Sequence, residues 1–321
     1  MRRDGLGLVA GLSLTILVSG CTSTLGLTAS QKAAIGEFSR ATAAIGETTQ
    51  GELTEMRARM VQTNEQLFII RGSASQLSPD APLDGALSVN TIAVVVAAAT
   101  ALQGYGEMLV ALVEDTQAGQ LQSAAGKFVT SLNKVPNVNL SAGASDAIGA
   151  VIVFAGERYI EAKKAHALKV IVPETRPAID RICDTLASDF DWQSNGLAAA
   201  LDTQNQLLQS AASSAVRDAS GSTDGAAVVA RSVTLPALQY AIQGRLRRDE
   251  VQKRVQSSVL AIKKANAALA DALANDRWSL EDVKAAAGAA GELKPAIKEL
   301  SEQASGLLDR VKILTPFPIM R

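Results

Sequence analysis

Residues 87–113 read LSVNTIAVVVAAATALQGYGEMLVALV, the least polar stretch of the chain beyond its N-terminal segment. Glu107 is its only charged residue. A helix that is apolar on every side lies either at the centre of a bundle or in contact with lipid. Gly104, Gly106 and Glu107 interrupt the stretch near its middle, which disfavours a clean membrane span. We therefore predict a central core helix.

Amphipathic helical patterns flank this stretch on both sides. In residues 31–71, apolar side chains recur every three, four or seven positions, and the remaining positions are polar. Further helices are predicted at 120–134, 146–172, 175–219, 226–275 and 279–314. The expected fold is therefore all-α: an elongated antiparallel bundle of five to seven long helices.

Local signals set the expected ends and bends of these helices. Pro173 is expected to stop one helix, and Asn195-Gly196 to kink or break the next. Asp224 is a candidate N-cap, and Pro236 is expected to bend the helix that follows. That helix carries Val229, Ile242 and Leu246 among its expected core positions.

The C-terminal helix has the clearest start signal in the chain. Ser279 is a candidate N-cap with Asp282 three positions later, and Trp278 can pack against Val283. Two prolines, at positions 316 and 318, end the helical pattern.

The composition favours helices and argues against one class of partner. The chain is 47% hydrophobic but only 3% aromatic, and nine of its 321 residues are proline. Its apolar content is therefore mostly Ala, Val, Leu and Ile, which suits long helices that pack closely. The formal net charge is only -1, so nothing in the charge balance indicates the basic face that nucleic acid requires.

The first 21 residues have the layout of an export signal. Residues 1–3 (MRR) are basic, residues 6–18 form an apolar run, and residues 18–21 (VSGC) close it. One plainer alternative is an uncleaved anchor, but a span calls for about 20 apolar residues and this run is shorter. The other is an ordinary signal peptide with a chance cysteine, which the presence of only two cysteines in the chain disfavours.

Residues 18–21 resemble the lipobox of bacterial lipoproteins, in which an apolar and two small residues precede an invariant cysteine. The resemblance implies cleavage between Gly20 and Cys21 and attachment of membrane lipid to Cys21. Two or three acyl chains are enough for stable anchoring. Because Thr22 rather than Asp follows the cysteine, the resemblance also implies an outer-membrane location facing the periplasm.

The expected domain organisation follows from these boundaries. Residues 1–20 are the signal peptide, 21–30 a lipidated tether, 31–314 a single helical-bundle domain and 315–321 a short tail.

The chain supplies few residues for catalysis or for a cofactor. His166, the only histidine, is expected as a hydrogen-bonded structural residue near the apolar face of its helix. Cys183 has no partner once Cys21 is lipidated, and its apolar neighbours predict a buried structural thiol. The sequence has no Glu-x-x-His motif, no Cys/His zinc set and no Gly-Lys-Ser/Thr phosphate loop. We therefore expect no enzymatic activity, no metal and no cofactor.

Two charged clusters are expected to be solvated helix faces. The basic one is Arg245, Arg247, Arg248, Lys253 and Arg254, for which the alternative is docking to anionic lipid headgroups or an acidic partner. The acidic one, beside Trp192, is Asp180, Asp184, Asp189 and Asp191, for which the alternative is a weak cation site.

Two functions from different classes fit these observations. The first is a lipid-anchored, non-enzymatic bundle of the cell envelope that acts as a scaffold or binds an envelope protein. The alternative is a membrane-active bundle, which in outline resembles the all-helical pore-forming proteins and would use residues 87–113 and 147–155. Homo-oligomerisation is open to any amphipathic helix and is not decided by the sequence.

Overall fold

The computed structural model of the protein describes residues 27–72, 83–114, 118–154, 161–221 and 223–274. These residues form seven α-helices and one short 3-10 turn, Gly85–Leu87, and no strand occurs among them. The helices are α1 (Ala29–Ile70), α2 (Val89–Val113), α3 (Ala118–Leu132), α4 (Ala142–Phe154), α5 (Glu161–Asp189), α6 (Leu197–Ser220) and α7 (Gly225–Ala274). The predicted all-α helical bundle is confirmed.

Several predictions concern residues outside the described ranges. They are the signal peptide at 1–20, the lipidation site Cys21, the helix at 279–314 and the tail at 315–321.

Side-chain caps explain where three helices begin. Thr28 and Gln31 form a reciprocal capping box at the start of α1. The Ser88 hydroxyl accepts a hydrogen bond from the Thr91 amide at 3.3 Å and caps α2. Asp224 accepts from the Ala227 amide at 2.7 Å, which confirms it as the N-cap of α7.

Contacts between α5 and α7 show that these two helices run antiparallel. Arg176 pairs with Asp271 at 3.1 Å, and Asp184, further along α5, pairs with Lys263 at 2.6 Å. The same opposite progression relates α1 to α2, where α1 residues Ser39 and Gly46 lie against α2 residues Gly106 and Gln103 respectively.

Helix α2 lies at the centre of the larger apolar core and packs against α1, α3 and α5. Most of its side chains are buried, including Ala98, Leu102, Tyr105 and Leu109, all 0% exposed. One face, which carries Gln103 and Glu107, is half-buried. The apolar residues of α2 are therefore explained by its packing against three other helices. The predicted core helix is confirmed.

Glycines allow the backbones of α1, α2 and α3 to approach each other closely. A Cβ atom added at Gly46 of α1 would lie 2.7 Å from the Ala99 carbonyl oxygen of α2. A Cβ atom at Gly104 of α2 would lie 2.8 Å from the Phe128 amide nitrogen of α3. These glycines are sites of helix contact, where any larger residue would push two backbones apart.

The prediction that Pro173 stops a helix is wrong, because α5 continues through both Pro173 and Pro177. An internal proline costs about 3 kcal/mol. Burying one Ile or Leu side chain returns roughly 1.5–3 kcal/mol, and α5 fully buries several around the two prolines: Leu168, Ile171, Val172, Ile179 and Ile182. Tertiary packing therefore outweighs the local stop signal.

The break predicted at Asn195-Gly196 is confirmed between α5 and α6. A Cβ atom at Gly196 would lie 2.7 Å from the Ser188 carbonyl oxygen, so the turn closes tightly on the end of α5. Pro236 lies inside α7, which continues through it from Gly225 to Ala274.

The buried apolar side chains form two separate clusters. The larger one contains residues from all seven helices. The smaller one, which we call the distal core, joins the last turns of α1 to α6 and α7 and consists of Leu67, Leu208, Ala212, Ala237 and Ala241. Its three alanines allow α6 and α7 to pack closely but bury little apolar surface.

Candidate partner-binding surface

A line of exposed apolar side chains runs along the N-terminal half of α7. It consists of Val228, Leu235, Ile242 and Leu246, of which Leu246 is 72% exposed and Val228 52% exposed. We call this set the α7 stripe. Its spacings of seven, seven and four residues place all four side chains on one helix face. This is the arrangement by which one helix seats against another.

The opposite face of the same half of α7 packs against the distal core. Ala237 and Ala241 are buried there against Leu208 and Ala212 of α6. The sequence pattern placed Val229, Ile242 and Leu246 in the core, and this prediction is wrong because all three are exposed. Apolar residues occupy two faces of this part of α7, so periodicity alone did not distinguish the packed face from the open one.

A layer of charged side chains lies between the two apolar clusters and joins α1, α6 and α7. Arg247 of α7 lies 3.6 Å from a carboxylate oxygen of Glu52 and 4.0 Å from one of Glu55, both on α1. Arg248 forms an ion pair with Asp202 of α6. Glu52 and Asp202 are each only 5% exposed.

Arg248 is also held by an aromatic contact. Its guanidinium carbon lies 3.8 Å from the centre of the Trp192 ring, a cation–π arrangement. Trp192 belongs to the turn between α5 and α6, so Arg248 links that turn to α7 as well as to Asp202.

The expectation that the basic run is a solvated face is therefore wrong for much of its length. Arg254 is 4% exposed and pairs with Glu250 at 3.1 Å, while Arg247 and Arg248 turn inward. Lys253 alone has the expected exposure. Burial lowers the pKa of Arg247, with repulsion from Arg59 acting in the same direction, and Glu52 and Glu55 oppose both effects. The run neutralises buried acids, which a single helix pattern does not reveal.

A cavity of about 40 Å³ lies within the charged layer, lined in part by Met56, Phe190 and Leu201. Ligand pockets usually measure roughly 300–1,000 Å³, and a volume of this size holds water only. The charged layer is therefore an internal contact between helices and not a ligand pocket.

A wider open groove of about 670 Å³ lies between α1, α2 and α3. Two of its charged side chains, Arg40 and Glu107, have partners within the bundle, and Glu47 also lines the groove. Arg40 pairs with Glu114, and Glu107 pairs with Lys127 at 3.1 Å. The charges of Arg40 and Glu107 are therefore neutralised within the bundle.

The two side chains that most often build a nucleophile–base pair lie far apart. Cys183 is fully buried, and burial raises the pKa of its thiol far above the ordinary value. The predicted structural thiol is confirmed. His166 lies 17 residues earlier in α5, about 25 Å away along the helix.

His166 is exposed, so its predicted place near the apolar face is wrong. The prediction assumed one continuous helix over residues 146–172 and placed His166 by counting turns along it. In the structure α4 packs against α5 as a separate element, so the phase of the first does not determine that of the second.

The acidic cluster makes contacts within the bundle. Asp184 pairs with Lys263, and Asp191 accepts a hydrogen bond from the Gln252 amide at 3.0 Å. Burial raises the pKa of Asp189. In the described ranges no three His, Cys, Asp or Glu side chains come together as a metal-ligand group.

One described helix, α2, is long and apolar enough to cross a membrane, and 67% of its most apolar 18-residue window is buried within the bundle. The core helix of a soluble protein passes the same test of length and composition. The shorter helix α4 is also apolar over Ala142–Val153, and its Val153 is 75% exposed.

Comparisons of the chain with protein-family models, with curated proteins and with solved structures find no match in any of the three. The functional conclusion therefore depends on the residues and surfaces of this chain.

Proposed function

We propose that this protein is a lipid-anchored, non-enzymatic component of the bacterial cell envelope that holds a partner protein at a distance from the membrane. The anchor is Cys21, by the resemblance of residues 18–21 to a lipobox. The observation that carries the partner-binding role is the α7 stripe, because a helix face of this spacing and exposure suits docking of another helix.

The placement of the stripe supports this role. The tether leads from Cys21 to Ala29, the first residue of α1, and α1 has 42 residues, a length of about 63 Å. Leu67, near the other end of α1, packs in the distal core beside α7. The stripe is therefore near the end of α1 opposite the anchor, where it can reach a partner in the periplasm.

A non-enzymatic role is supported by the side chains that catalysis would need. Cys183 is buried with a raised pKa, His166 is about 25 Å from it, and the charged layer is balanced by its own ion pairs. Cys183 packs in the larger apolar core, and the charged layer joins three helices.

Cell fractionation of wild type beside Cys21→Ala tests the anchor. We expect wild type in the outer-membrane fraction and loss of the variant from it. Recovery of Cys21→Ala in the membrane fraction at the wild-type level would contradict lipid anchoring.

A photo-crosslinking amino acid at Leu235 tests the surface. We expect one envelope protein, identified by mass spectrometry, to be captured from Leu235 and lost when Val228→Glu is added. The matched control is the same crosslinker at Thr54, an exposed position of α1. Capture of the same protein from Thr54, or its persistence with Val228→Glu, would count against the stripe as the docking surface.

A second candidate function, membrane activity, rests on α2 and the shorter apolar α4. It requires α2 to leave the bundle, against the close backbone contacts at Gly46 and Gly104. Dye leakage from liposomes, induced by protein with Cys21→Ala and compared with a variant that also carries Val95→Lys and Ile152→Lys, tests it. Leakage that the two charges abolish would favour this function, and no leakage from either protein would exclude it.

A further inference from the structure

A polar groove of about 430 Å³ lies between α6 and α7, beside the distal core. We call it the arginine groove. Its lining side chains can all donate hydrogen bonds, and they are Gln206, Gln209, Ser210, Ser213, Arg217 and Arg245. None of these six residues is acidic. The groove therefore combines two positive charges with neutral donors, a composition that suits an anionic ligand.

One face of α6 supplies most of this groove. Gln206, Ser213 and Arg217 follow one another at spacings of seven and four residues, which places them on the same side of the helix. Arg217 is exposed, and it forms no ion pair within the part of the chain that the structure describes. Its guanidinium is therefore available to a ligand.

Arg245 of α7 supplies the second charge, and Gln209 positions it. A terminal nitrogen of Arg245 donates to the Gln209 side-chain oxygen across 2.9 Å. Arg247 and Arg248 pair with buried acids, whereas Arg245 pairs with no carboxylate of the described helices.

The Nε atom of Arg245 is an independent indication of a ligand. This atom is buried and has no hydrogen-bond partner among the described residues. Buried donors in folded proteins are nearly always paired, and a guanidinium nitrogen beside an open groove can be paired by an oxygen atom bound there.

A phosphate group matches these donors better than a carboxylate does. Guanidinium groups form paired hydrogen bonds with phosphate oxygens. A terminal phosphate has three strong acceptor oxygens, enough for both arginines and a serine hydroxyl. The groove volume falls within the roughly 300–1,000 Å³ of ligand sites, so it also has room for an organic group attached to the phosphate.

We propose that the arginine groove binds the phosphate group of a soluble organic phosphate or of a lipid headgroup, with Arg217 and Arg245 holding the phosphate oxygens. The site uses none of the four side chains of the α7 stripe. It depends neither on the lipid anchor nor on a partner protein.

Isothermal titration calorimetry of the full-length protein, purified in a non-ionic detergent, tests the proposal. Glycerol 3-phosphate is the probe for a soluble ligand. Dihexanoyl phosphatidylglycerol, titrated below its micellar concentration, is the probe for a lipid headgroup, and its heat of transfer into detergent alone is subtracted. Succinate, an anion with two carboxylates and no phosphate, is the matched control ligand.

We expect saturable binding of at least one phosphate probe and none of succinate over the same concentrations. Saturation by phosphatidylglycerol alone assigns the site to a lipid headgroup, and saturation by glycerol 3-phosphate assigns it to a soluble phosphate. Arg217→Gln and Arg245→Gln should each raise the Kd at least about tenfold, since each removes charge-assisted hydrogen bonds. Lys253→Gln removes an exposed positive charge of α7 outside the groove and should leave the Kd unchanged.

Three results would overturn the proposal: no saturable binding of either phosphate probe, equally tight binding of succinate, or a Kd that Arg217→Gln leaves unchanged. Because Arg217 is exposed, its replacement should not disturb the fold, and circular dichroism of each variant checks this. The titrations contain no partner protein, so failure here leaves the proposed scaffold role unaffected.

Discussion

Tyr105 of α2 donates its hydroxyl to the Asn266 side-chain oxygen of α7 across 2.8 Å, and both residues are completely buried. The two residues are 161 positions apart in the chain. This hydrogen bond ties the central helix to the longest one inside the larger core, where an unpaired polar atom is costly.

The two partners of this hydrogen bond should contribute to stability as a coupled pair. Tyr105→Phe leaves the Asn266 carbonyl oxygen without its donor, and we expect a loss of about 1–3 kcal/mol in the free energy of unfolding. The double variant Tyr105→Phe, Asn266→Leu should cost less than the sum of the two single variants. Urea unfolding followed by circular dichroism measures all four proteins. Strict additivity would mean that the two groups do not interact.

Close helix contact at Gly106 should make that position intolerant of alanine. A Cβ atom there would lie 2.5 Å from the Ala43 amide nitrogen of α1, so α1 and α2 must separate, at an expected cost of about 1–3 kcal/mol. Gly126 of α3 has open space around its position for a Cβ atom, and Gly126→Ala should stabilise by roughly 0.5–1 kcal/mol through helix propensity. Thermal unfolding of both variants provides the comparison, and a neutral Gly106→Ala would contradict the close contact.

Loss of one charge from the charged layer should strongly lower the free energy of unfolding. Arg248→Ala leaves the Asp202 carboxylate, 5% exposed, without its cation, and we expect destabilisation of about 3–5 kcal/mol. Arg248→Met with Asp202→Leu removes both charges and should recover most of that loss. The control is Arg40→Ala, whose pair with Glu114 is about half exposed and should matter by less than about 1 kcal/mol. Urea midpoints report each value, and similar losses for Arg248→Ala and Arg40→Ala would rule out a special role for the buried pair.

Stability should fall in alkaline solution. Burial raises the pKa of Tyr240 from 10.0 to about 12, so the folded protein holds this proton more tightly than the unfolded chain. The resulting stabilisation is complete below pH 10 and is lost as the pH rises towards 12. Tyr105 and Cys183, whose pKa values burial also raises, act in the same direction.

Tyr240→Phe isolates one part of this effect. We expect its unfolding free energy to decline less steeply than that of wild type between pH 9.5 and 11.5, in matched urea titrations. Parallel pH profiles for the two proteins would show that Tyr240 does not titrate differently on folding.

Periodicity and capping were enough to predict most of the helices. The first helix was expected at 31–71 and is Ala29–Ile70, and the second was expected at 87–113 and is Val89–Val113. These elements have long, regular patterns, so local information determines them. The break at Gly196 and the cap at Asp224 were likewise predicted from local sequence signals.

The errors arose where contact with a second helix decides the outcome. Pro173 is a genuine local stop signal, yet the apolar burial around it outweighs its cost. The basic run around Arg248 looks solvated on its own helix, and its acidic partners Glu52 and Asp202 lie far away in the chain. Ile242 and Leu246 of the α7 stripe were recognised as apolar positions, but their exposure depended on which face of α7 packs against Leu208 and Ala212 of α6.

The bundle should open locally more easily at the distal core than in the larger apolar core. It buries two leucines and three alanines, whereas the larger core contains residues of every helix. Amide hydrogens near Leu67 and Ala241 should therefore exchange with solvent sooner than those near Leu102 or Ile179, since local opening costs least where the fewest apolar contacts are broken. The α7 stripe therefore lies at the end of the bundle where local opening costs least.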